Sequence, residues 1–125
     1  MSFFSLIKTI INNKYIMDIQ KLHNKKIDIF GSKYTIKIVD KIEDEDGYYL
    51  GTTYHNKRII ELARYTNNVK ISNNEIIETL LHEINHAILN TGQYLNLSHD
   101  EPLIEWLARC YYSILFNQKI FKDYD

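Results

Sequence analysis

The sequence predicts an α+β domain: a small antiparallel sheet of three or four strands, followed by two packed helices. Two observations carry that prediction. Between residues 26 and 62 apolar and polar residues alternate, the period of a half-buried strand. From residue 73 onward apolar residues recur every three or four positions, the period of an amphipathic helix. Strands first and helices after is the order of an α+β architecture. A chain of 125 residues is enough for one such domain and not for two.

In chain order, Phe4, Ile7, Ile10, Ile11 and Leu22 suit one or two short helical turns. Residues 1–24 are therefore expected to form an N-terminal helical appendage, and residues 25–125 a single domain. The apolar start has no basic residues before it, is interrupted by Lys8 and lacks a small-residue cleavage site. It reads as an amphipathic helix, not a secretion signal. The segment Lys26 to Phe30 alternates and ends at Gly31, and Tyr34 to Val39 alternates with β-branched residues. Glu43 to Gly47 reads as a charged turn. Tyr48 to Tyr54 and Lys57 to Leu62 read as two strands joined at His55-Asn56, completing an antiparallel meander.

The first helix is expected to be capped by Asn73 or Asn74, with Glu75 in its first turn. Ile76, Ile77, Leu80, Leu81, Ile84, Ala87 and Ile88 form its apolar stripe, and Gly92 is a natural stop. The second helix opens at Ser98 or Asp100, with Glu101 and Pro102 in its first turn. Leu103, Ile104, Leu107, Ala108, Tyr111, Ile114 and Leu115 form its stripe.

Composition removes several classes of function. Fifteen basic and sixteen acidic residues give a formal net charge of −1, without the basic excess that nucleic-acid binding needs. A single cysteine, Cys110, excludes both a disulfide scaffold and a cysteine-built zinc site. No segment reaches the roughly 20 apolar residues of a bilayer span. The expected setting is the cytoplasm, with neither nucleic acid nor membrane as partner.

The segment Thr79-Leu-Leu-His82-Glu83-Ile-Asn-His86-Ala87 carries the chemistry. It contains H-E-x-x-H, a known zinc signature. At about 100° per residue, His82 and His86 lie roughly 40° apart and one turn above each other. Two imidazoles so placed can share one metal ion. Glu83 lies roughly 100° round from His82, beside such an ion and free to act as a general base toward water. The histidines fall nearly opposite the apolar stripe, so they face a cleft while the stripe faces the core. Thr79, Asn90 or a backbone carbonyl is expected on their free ring nitrogens.

A catalytic zinc takes three protein ligands. The metzincin extension would need Gly at 89 and His at 92, where this chain has Leu89 and Gly92. His99, Asp100, Glu101 and Glu105 remain as third ligands. Glu105, 19 residues after His86 and at the border of the next apolar stripe, is preferred, with His99 its main rival. Ala108, one turn on, is small enough to let the two helices approach. For an additional oxyanion donor the candidates are Tyr94, His99, Tyr111 and Tyr112. The isolated His23 and His55 receive no role.

A small sheet, then Glu78-x-x-x-His82-Glu83-x-x-His86-Ala87, then Glu105-x-x-Ala108, resembles minimal gluzincin-type zinc metallopeptidases. It is similar to the short metallopeptidases of phages and mobile elements, including phage-immunity peptidases that act on repressors. The resemblance spans about residues 33 to 116. It implies a zincin-like fold, Zn2+ on His82, His86 and Glu105, Glu83 as catalytic base, and a protein or peptide substrate. Separately, strand addition offers such a substrate an edge strand such as Tyr48 to Tyr54. The competing expectation is a phage-like zinc-containing protein that binds or inhibits a host factor without catalysis. An intact Glu83 favours the enzyme, because a structural site has no use for a base between its ligands.

Overall fold

The most apolar strands take the centre of the sheet and the most polar takes its edge. In the computed structural model, which describes residues 18–117 together with residues 2, 5, 6 and 8, strands β1 (Lys26–Ile29), β2 (Ser32–Val39), β5 (Gly51–Tyr54) and β6 (Ile59–Ala63) form one sheet in the order β1-β2-β6-β5. Tyr34, Ile36 and Ile38 of β2 and Ile60 and Leu62 of β6 are buried, whereas β5 reads Gly-Thr-Thr-Tyr. Two ribbons complete the β-structure: β3 (Ile42–Asp44) with β4 (Gly47–Tyr49), and β7 (Tyr65–Thr66) with β8 (Val69–Lys70).

The α+β class and the order of strands before helices are as expected. The sheet is mixed, however, and not an antiparallel meander: β2 and β6 run parallel, with Ile36 opposite Ile60 and Ile38 opposite Leu62. The β3–β4 ribbon carries the chain away from β2, and β5 returns on the outside. The apolar β6 can then insert beside β2, where its inward row, Ile60 and Leu62, is buried. Phe30 and Gly31 turn β1 into β2 with φ of 48° and 86°, a left-handed pair that suits a tight hairpin.

The helices follow: α1 (Asn73–Thr91), a single turn α2 (Leu95–Ser98) and α3 (Glu101–Tyr112), which runs into a π-turn at Ser113–Asn117. Ser72, not Asn73 or Asn74, caps α1, its hydroxyl accepting from the Glu75 amide at 3.2 Å. Ser72-x-x-Glu75 is the capping-box spacing, and it places the cap one residue earlier. Gly92 ends α1 with an ordinary φ of −79°, while Gln93 takes the left-handed conformation at 62°. Asp100 caps α3 through the Leu103 amide at 3.2 Å.

One core joins the sheet to α1, with Ile36, Ile60, Leu62, Ile77 and Leu80 fully enclosed. The expected appendage is not separate from it where it is described. Leu6, and Ile19 and Leu22 of a 3-10 helix at Ile19–Leu22, belong to the same core. Phe4, Ile7, Ile10 and Ile11, also expected in these helical turns, lie outside the described residues. Between α1 and α3, Leu81 packs on a fully buried Ala108, the close approach that a small residue permits. Among the described residues no helix is long and apolar enough to cross a membrane.

Candidate metal centre

The site is two facing rows of side chains. On α1, Glu78, His82 and His86 recur every fourth residue and so share one face. On α3, Glu101, Glu105 and Arg109 do the same. The helices meet in antiparallel register, so that Glu101 faces both histidines, Glu105 faces His82, and Arg109 faces Glu78.

The two Nε2 atoms of His82 and His86 lie 3.2 Å apart. Glu101 sets one oxygen 3.1 Å from each: Oε2 on His82 and Oε1 on His86. Together the three side chains could hold a metal ion, since their donor atoms all lie within 4.8 Å of one another. Donors bound tetrahedrally at about 2.0–2.1 Å stand about 3.3 Å apart, close to these spacings.

Glu105, the ligand preferred from the sequence, stands elsewhere. Its Oε2 is 3.0 Å from Nδ1 of His82, the ring nitrogen turned away from the group. Glu101 takes the third position because it lies one turn nearer the start of α3, level with the gap between the histidines. His99 is exposed at the end of α2, and Asp100 is committed to capping α3. The Nδ1 atom of His86 is 3.5 Å from the hydroxyl of Ser98, which is buried. The partners on the outer ring nitrogens are thus Glu105 and Ser98, not Thr79 or Asn90. In the sequence Ser98 is legible only as a possible cap.

Glu83 is buried, 6% exposed, at the floor of the same site. The Thr53 hydroxyl donates to its Oε1 at 2.9 Å, and its Oε2 lies 3.8 Å from Nε2 of His82. Burial holds its carboxyl above the usual carboxylate range, while the Thr53 hydrogen bond and the two histidines pull the other way. Strand β5 can reach Glu83 because residue 51 is glycine. A Cβ there would lie 2.6 Å from Cγ2 of Thr79 and 3.1 Å from Cγ of Glu83.

A cleft of about 750 Å³ opens over these groups, between β5 on one side and α1 and α3 on the other. Leu50, Gly51, Thr52 and Thr53 form one wall. Tyr94, His99, Tyr111 and Tyr112 are not among the lining residues, but His55 is. Its Nδ1 lies 3.4 Å from the hydroxyl of the buried Tyr34, which meets the ring edge-on. Burial, then His86 and His99, lower its pKa and favour the neutral ring. A lone histidine in a turn gives no periodic signal. Its place immediately after an edge strand was the only clue in the sequence.

No protein-family model, characterised protein or solved structure matches the chain.

Proposed function

We propose that the chain is a zinc-dependent metallopeptidase that hydrolyses peptide bonds in a protein or peptide substrate. One observation carries the reading: a buried, hydroxyl-anchored carboxylate, Glu83, directed beside a three-donor group of two imidazoles and a carboxylate, within an open cleft. A purely structural metal needs neither the cleft nor the extra carboxylate. Imidazole and carboxylate donors suit zinc. His82, His86 and Glu101 would hold the zinc, which when bound would supply Lewis acidity toward water and a carbonyl.

The remaining work falls to the chain's own groups. Glu83 takes a proton from the attacking water at the oxygen that Thr53 leaves free, then passes it to the leaving amine. Among the described residues strand β5 pairs with β6 on one side only, and its other edge can accept an extended peptide by strand addition. The Tyr34 hydroxyl lies 3.4 Å from Nδ1 and can donate to it, which would leave the ring proton of His55 on Nε2. A neutral donor is then available for the charge that develops on the carbonyl oxygen.

The test is incubation of the zinc-loaded chain with unfolded casein and a mixed peptide library, with products read by mass spectrometry. The reading expects discrete cleavages that vanish in Glu83→Gln while that variant keeps its zinc. Cleavage that survives in Glu83→Gln refutes the assigned base. Absence of cleavage by the wild type toward both substrates, with zinc bound, favours the non-catalytic binding protein.

A further inference from the structure

The two rows of side chains continue past the three donor groups, and their continuation has a use of its own. Resting on the metal reading above, we propose that Glu105 and Arg109 are positioning residues for His82: together they set the metal affinity of the site without touching the ion.

The chemistry follows from the ring. For Nε2 of His82 to present a lone pair, the proton must sit on Nδ1. Oε2 of Glu105 stands 3.0 Å from that nitrogen and accepts its N–H. A glutamate side chain has three rotatable bonds, and the Glu105 side chain is 44% exposed, so one hydrogen bond does not fix it. Arg109, one turn on, donates from Nε to the other oxygen, Oε1, at 3.1 Å. Each carboxylate oxygen thus has one partner. Beyond it, Glu78 lies 3.7 Å from the same Arg109 nitrogen and steadies the guanidinium from α1.

These pairs are too exposed to matter much as stabilising salt bridges. Their consequence is orientation: a fixed carboxylate fixes the tautomer and the plane of the imidazole and raises its basicity as a ligand. Among the described residues His86 has no equivalent: its Nδ1 meets a neutral serine hydroxyl at 3.5 Å. The two histidines are therefore unequal, and the better-held one is His82.

The probes are Zn2+, with affinity measured by competition against a chromophoric chelator, and Co2+, whose visible spectrum reports the ligand set. Glu105→Ala is expected to weaken Zn2+ binding about 10–100-fold while leaving the Co2+ spectrum unchanged. Arg109→Gln is expected to weaken it several-fold, Arg109→Lys less, and Ser98→Ala least. Combined with Glu105→Ala, Arg109→Gln should add nothing further, because Arg109 acts through Glu105. Glu105 and Arg109 are partly exposed, so the helical circular-dichroism spectrum of each variant should match the wild type. Unchanged affinity in Glu105→Ala overturns the proposal. So does an altered Co2+ spectrum, which would make Glu105 a ligand, or strict additivity of the two substitutions. A wild-type chain that binds neither ion overturns the metal centre itself and this role with it.

Discussion

Replacing Gly51 by alanine tests whether the packing of β5 on α1 is as tight as the site requires. The added Cβ would meet Cγ2 of Thr79 at 2.6 Å, Cγ of Glu83 at 3.1 Å and the Glu61 carbonyl oxygen at 3.2 Å. Carbon atoms rest about 3.5–4.0 Å apart, so the strand and helix must part by roughly 1 Å. Overpacking of this kind costs about 1–3 kcal/mol. Alanine also restricts the unfolded chain, which returns about 0.4–1 kcal/mol. The clash is the larger effect, leaving a net loss of roughly 1–2 kcal/mol. In urea titration this lowers the midpoint by about 0.5–1 M at an unchanged slope. Thr79→Ser removes the offending methyl, so the double variant should recover about 1 kcal/mol relative to additivity. An unchanged or raised midpoint in Gly51→Ala, or strict additivity with Thr79→Ser, would show that β5 does not press on α1 and that the route from Thr53 to Glu83 is not built as described.

Other expectations follow from the same geometry. Thr53→Val removes the hydroxyl that holds Oε1 of Glu83, so turnover should fall about tenfold or more while zinc affinity stays within twofold of wild type; an equal loss of both would mean that Thr53 supports the fold and not the base. His55→Leu should leave the zinc content unchanged and lower kcat about 100-fold, with little change in KM, if its ring meets the developing oxyanion. Zinc bridges α1 and α3 in this account, so at a free concentration about 100-fold above Kd it should stabilise the chain by about 2.7 kcal/mol, a rise in Tm of roughly 10 °C that a chelator reverses. A melting curve indifferent to zinc and chelator would contradict that bridge.

The helices and the first half of the site were legible because they rest on local spacing. Six members of the expected stripe, from Ile76 to Ala87, are buried as its period requires, whereas its last member, Ile88, is exposed at the end of the helix; His82 and His86 stand side by side because they are four residues apart. Local spacing cannot choose between Glu101 and Glu105. They share one face of α3, so both were visible as candidates. Which turn reaches the histidines depends on where α3 starts against α1, a relation between helices that no single period encodes. The parallel pairing of β2 with β6 was hidden for a similar reason. Alternation identifies a strand but not its neighbour, and the β3–β4 excursion separates the two by about twenty residues. Thr53 and His55 looked like ordinary strand and turn residues, since their significance comes from contacts with Glu83 and Tyr34 about thirty and twenty residues away.

The most direct test is the metal content of the purified chain after equilibration with zinc and exhaustive dialysis, read by elemental analysis for wild type, Glu101→Ala and Glu105→Ala side by side. The account expects one zinc per wild-type chain, nearly none in Glu101→Ala, and a Glu105→Ala chain that still fills when zinc is raised above its weakened Kd. A wild type without zinc, or a Glu101→Ala chain that keeps its full complement, would contradict the centre formed by His82, His86 and Glu101.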